Sequence, residues 1–177
     1  MLKRAIIPGF ALILLAGSSM ARAAQGDVEG LKSKYSSYTI EQAASEGYVR
    51  DAFCIDAASF GQPVEQGAMG FHATDESRIR GPVEIERPQA LLFDTAGRVL
   101  GVEYEILADA VSAPPQLFGQ TFTRLPAHAG MEHEHYALHL WFADNPSGLF
   151  SDFNPNVACP PGSLPPRQPV HSPEHGH

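Results

Sequence analysis

The chain has 177 residues, 44% hydrophobic and 18% charged, with 20 acidic side chains against 12 basic ones and a formal net charge of −8. A chain of this length supports one domain with one sizeable core. The acidic balance excludes nucleic-acid binding, because a phosphate backbone attracts the opposite sign.

Residues 1–23 read as a signal peptide. Lys3 and Arg4 precede a short apolar run from Ala5 to Gly17, and Ala21-Arg22-Ala23 supplies the small-x-small cleavage pattern. The run is too short for a membrane span, which needs about 20 residues, and no cysteine follows it to carry a lipid. Cleavage after Ala23 predicts a periplasmic or secreted protein with no membrane span. It also removes Lys3, Arg4 and Arg22, taking the formal charge to −11.

From Asp27 to Gly47 the pattern is helical in two pieces. Val28, Leu31 and Tyr35 recur at helical spacing, Ser36-Ser37 breaks the run, and Thr39 with Gln42 forms a capping box for a second helix that Gly47 ends. Between Tyr48 and Pro88, scattered Gly and Pro leave no sustained period. Then Ala90–Asp94 and Arg98–Leu107 flank Asp94-Thr95-Ala96-Gly97, a β-hairpin whose Gly97 suits a left-handed turn position. In the second strand Leu100, Val102, Tyr104 and Ile106 share one face, and Glu103 and Glu105 the other.

The stretch HEHYALHLWF, 133 to 142, alternates Tyr136, Leu138, Leu140 and Phe142 with His135, Ala137, His139 and Trp141, as a half-buried strand does. Its first set belongs in the core, while His133 and His135 belong nearer a solvated strand end. Asn145-Pro146 stops the strand, and NPSGLFSDFNPN, 145 to 156, makes successive turns that Leu149, Phe150 and Phe153 anchor on the core. A binding loop is the alternative role of that segment. Residues 160–177 hold six prolines and almost nothing apolar, which predicts a disordered tail; its His171, His175 and His177 would hold a metal only loosely.

The fold class is therefore α+β: N-terminal helices packed on a mainly antiparallel β-sheet, one domain over residues 24–159. Cys54 and Cys159 are the only cysteines. In an exported chain such a pair is expected to form a disulfide, because the compartment is oxidising; two free buried thiols and a catalytic cysteine are the rival readings.

Candidate chemistry rests on the histidines. At about 3.4 Å per residue, His135 and His139 stand roughly 13.6 Å apart on a strand and do not share an ion, whereas His133 and His135, roughly 6.8 Å apart, are close enough. If the face of His139 and Trp141 coincides with that of Glu103 and Glu105, His72, Glu103 and His139 make two imidazoles and a carboxylate. That set suits a divalent metal such as zinc, copper or ferrous iron, with an open position. A hydrogen-bonded polar cluster, a small-molecule pocket and unrelated surface positions are the other readings. Glu103 and Glu105 also form a candidate acid–base pair, although alternating acids are usual on a solvated strand face. The sequence contains no GxSxG elbow, phosphate-binding glycine loop or HExxH.

Gly70-Phe71-His72, Gly101-Val102-Glu103-Tyr104, Leu117-Phe118-Gly119-Gln120, Leu138-His139-Leu140-Trp141 and NPSGLFSDFNPNVACP, 145 to 160, together resemble a family of short exported bacterial proteins with no assigned activity. The resemblance spans roughly Gly47 to Cys159. It implies export and a single domain, and it directs attention to His72, Glu103 and His139; His128, His133 and His135 fall outside the shared motifs. Three functions follow as expectations. The first is a non-catalytic module holding a metal ion or small ligand at those three residues. The second is a small hydrolytic or metal-dependent enzyme using them, and the third is a structural or partner-binding domain.

Overall fold

A computed structural model of the chain describes residues 12–128 and 130–163, with side chains from residue 24 onward. The first part of the signal segment and the tail histidines lie outside the described residues. Helix α1, Leu12–Tyr35, runs through the expected cleavage position, and Lys32 and Lys34 in its last turn complement the negative end of its dipole. No described helix is long and apolar enough to cross a membrane. Helix α2, Ile40–Ser45, starts with the capping box: Thr39 Oγ1 accepts from the Gln42 amide, and Gln42 Oε1 accepts from the Thr39 amide. It ends where Gly47, at φ +98°, and Tyr48 donate back to the carbonyls of Ala44 and Ala43, the paired bonds of a Schellman stop.

Six antiparallel strands form the main sheet: β1 Val49–Asp56, β2 Ala68–Thr74, β3 Ala90–Phe93, β4 Val99–Leu107, β7 Thr123–Leu125 and β8 His135–Trp141, in the order β1-β2-β3-β4-β8-β7. A separate two-stranded ribbon joins β5 Gln116–Leu117 to β6 Gln120–Thr121. The β3–β4 hairpin turns where expected. The Asp94 carboxylate accepts from the amides of Ala96 and Arg98, and Gly97 takes φ +77°. Strands β1 and β2 fill the stretch that shows no sequence period. In β2 six of seven residues are buried, on both faces, and β1 has register shifts against it, so neither alternates.

Two buried faces result. Register pairs Val102 with Leu140, Tyr104 with Leu138, and Leu91 with Val102. These residues share one apolar cluster with Phe71, Phe93, Phe122 and Phe142 from the sheet and its surroundings, and with Leu31, Tyr35 and Ala43 from the helices. Tyr35 also donates its hydroxyl to the Glu86 carbonyl at 2.9 Å. Leu100 departs from the expected face. The β3–β4 register shifts between Leu92 and Phe93, and Leu100 packs instead with Leu92, Trp141 and Val157 on the opposite side.

Cys54 and Cys159 form a disulfide with a Cα–Cα distance of 5.5 Å, closing a loop of 105 residues in sequence separation. Pro160 to Ser163, expected as the start of the tail, are tied to the fold instead: the Cys54 amide donates to the Ser163 carbonyl at 2.8 Å. The 145–157 segment is anchored by Phe153, which is buried beside Ile55, Ala57 and Met69, by Phe150 stacked on Phe118, and by paired backbone bonds between Asn154 and Ala68. Leu149, expected among the anchors, is 44% exposed.

Candidate functional site

The second face of the sheet is polar and just as buried. Antiparallel register puts Glu103 opposite His139 and, on its other side, opposite Ala90, while His72 pairs with Leu92 one strand further on. Cross-strand neighbours point the same way, so His72, Glu103 and His139 converge as the matching polar faces predict. His72 Nε2 lies 3.0 Å from Glu103 Oε2, and His139 Nε2 lies 3.4 Å from Glu103 Oε1. One ligand atom from each of the three residues falls within 4.8 Å of the others. The expected solvated face of Glu103 and Glu105 is absent: both carboxylates are buried.

His135 also contradicts its expected place at a solvated strand end. It sits opposite Leu107 and is 0% exposed, whereas His133 just beyond the strand is exposed, as expected. His128 and Met131, joined by a backbone bridge, line the cavity beside Glu103 and Glu105 at this end of the face. His128 packs edge-on against His135 with ring centroids 5.1 Å apart.

Asp152 is the residue that sequence reading missed. It comes from the NPSGLFSDFNPN loop and places Oδ1 3.8 Å from His139 Nδ1, a charge contact too long for a hydrogen bond. Trp141 sets the loop by donating Nε1–H to the Ser151 carbonyl at 2.6 Å and stacks nearly parallel to the His139 ring. The loop that reads as structural thus also supplies a side chain to the cluster.

Opposing forces fix the charges. Burial pushes the Glu103 carboxyl up, but the neighbouring His139 and His72 outweigh it and hold the group well below the ordinary carboxylate range. Burial pushes the His139 imidazole down, and the carboxylates of Glu103 and Asp152 more than reverse that, leaving it raised. Glu105 is raised well above its ordinary value by burial and by the adjacent Glu103 charge. The cluster therefore favours an ionised Glu103 between imidazoles and the protonated form of Glu105 beside it.

The satisfaction of these groups is incomplete. Among the described residues, neither ring nitrogen of His139 has a hydrogen-bond partner, nor does Nε2 of His135. A cavity of about 10 Å³ lies beside the carboxylates, lined by Asp51, His72, Thr74, Glu103, Glu105 and Met131 among others. That volume accommodates a single water or ion. No protein-family model, curated protein or solved structure matches the chain.

Proposed function

We propose that the protein is an exported, non-catalytic module that holds one divalent transition-metal ion, zinc or copper, between His72, Glu103 and His139. The observation that carries this reading is a fully buried imidazole, His139, with no hydrogen-bond partner on either nitrogen, set 3.4 Å from an ionised carboxylate. Buried polar groups are ordinarily satisfied. A metal of about 2 Å bond length meets that need, because neighbouring ligand atoms around a tetrahedral ion then lie roughly 3.3 Å apart. The observed separations of 3.0 and 3.4 Å, one to each oxygen of Glu103, are of that order, and one ligand atom from each residue lies within 4.8 Å of the others.

The adjacent cavity, with room for one water or ion, supports an ion over a small organic ligand. Export follows from the N-terminal signal pattern and is supported by the Cys54–Cys159 disulfide. The chain then belongs with the short exported bacterial proteins whose motifs it shares. The 3.0 Å His72–Glu103 contact favours one other reading, a metal-free ion-pair brace across β2, β4 and β8.

Zinc and copper calorimetry on chelator-treated full-length protein separates the two. The His72/Glu103/His139 reading expects tight binding that His139→Ala abolishes. It also expects that replacing His171, His175 and His177 together with alanine leaves binding intact. Undiminished tight binding in His139→Ala sinks the site. Loss only with the tail variant moves the metal chemistry to the chain's end.

A further inference from the structure

One more ligand set lies on the polar face. Glu103, Glu105 and His135 also offer three ligand atoms within 4.8 Å of one another, all from buried residues, and Glu103 is common to both sets. The His135 ring is held in one tautomer. Its Nδ1 lies 3.0 Å from the His133 carbonyl oxygen, and a carbonyl only accepts, so Nδ1 carries the proton. This is the backbone anchor by which metal-ligating histidines are ordinarily oriented. Nε2 is thereby left with a free lone pair, buried and unpartnered among the described residues.

A lone pair gathered with two buried carboxyl groups is repulsive unless a proton or a cation lies among them, and a divalent cation serves all three ligand atoms at once. Thr74 donates weakly to Glu105 Oε1 at 3.4 Å, which holds that carboxyl in place without supplying a charge. The cavity of about 10 Å³ is lined by Glu103, Glu105 and Asp51 among others, and leaves room for one atom more.

We infer that Glu103 bridges two divalent cations, one held with His72 and His139 and a second held with Glu105 and His135. This rests on the reading of His72, Glu103 and His139 as a metal site. The donor set of the second position, two carboxylates and one imidazole, takes zinc or manganese. Its partners differ from those of the first, so the two positions are separable by substitution.

The test is metal content after equilibrium dialysis of chelator-treated full-length protein against zinc, in a background with His171, His175 and His177 replaced by alanine. Two zinc ions per chain are expected. Glu105→Gln and His135→Asn should each reduce this to one while His72, Glu103 and His139 remain loaded. One ion in both the parent and Glu105→Gln overturns the second position and leaves the first standing. No bound ion overturns both. Two ions retained in Glu105→Gln also overturn the bridged arrangement. If those variants fail to fold, zinc-edge X-ray absorption on the unsubstituted chain decides. A metal–metal distance of about 3.5–4 Å is the expected result, as in other two-metal sites, and its absence at full loading contradicts the bridge.

Discussion

Strands β4 and β8 carry two buried faces of opposite chemistry. On one, Val102, Tyr104, Leu138 and Leu140 join a continuous apolar cluster that includes residues of both helices. On the other, Glu103, Glu105, His135 and His139 occupy alternate positions of the same two strands and are no more exposed. The first face is satisfied by contact alone. The second requires every lone pair and charge to find a partner, and among the described residues several do not. Alternation in a sequence therefore reports which side chains share a face, but it does not report whether the polar face meets water.

The sharpest way to break this comparison is to remove the group at the centre of the polar face. Glu103→Ala leaves the imidazoles that surround it without their buried counter-charge. It should cost about 3–5 kcal/mol in chemical unfolding of the metal-free protein and eliminate zinc binding. A loss below about 1 kcal/mol would mean the cluster carries no buried charge.

The apolar face should respond differently. Leu140→Ala opens a void against Val102 and should cost about 2–5 kcal/mol, with zinc stoichiometry unchanged in the folded fraction. Loss of zinc binding at preserved folding would show that the two faces are not independent.

These two faces also explain what was legible beforehand. The β3–β4 hairpin was readable from its turn residues, α2 from its capping box, and β8 from strict alternation, because each signal is local. The meeting of His72, Glu103 and His139 was readable only as a match of polar faces; the register that realises it is tertiary. Strands β1 and β2 were not readable, since β2 is buried on both faces and β1 is irregular against it. His135 looked solvated for the same reason. His128, whose ring packs against it, belongs to no stretch with a pattern of its own.

A pH series sharpens the comparison without substitution. In metal-free protein, the raised His139 and Glu105 contribute stability that is complete below their unfolded values, about 6.5 and 4.5, and is lost as pH rises through the folded ones. Glu103, lowered, contributes stability present above about 4.5 and lost as pH falls. The melting temperature with chelator should therefore decline on the alkaline side, by the equivalent of roughly 1–3 kcal/mol. Zinc should reverse that decline, because a metal replaces the protons. A profile flat from about pH 5 to 9 would contradict the buried charge assignment.

The smallest expected effect tests the loop. Trp141→Phe keeps the aromatic packing but removes the Nε1–H bond to Ser151, which should cost about 0.5–1.5 kcal/mol and leave zinc stoichiometry intact. A larger loss, or loss of metal, would show that the loop bearing Asp152 is held mainly through this one bond.

The central claim is that the unsatisfied polar face is a metal centre. Anomalous diffraction from crystals of the zinc-loaded protein tests it most directly. The account predicts a zinc peak about 2.0–2.2 Å from a ring nitrogen of His72, a ring nitrogen of His139 and a carboxylate oxygen of Glu103. Zinc found only at surface or tail histidines, with His139 bonded to an ordered water instead, would contradict it.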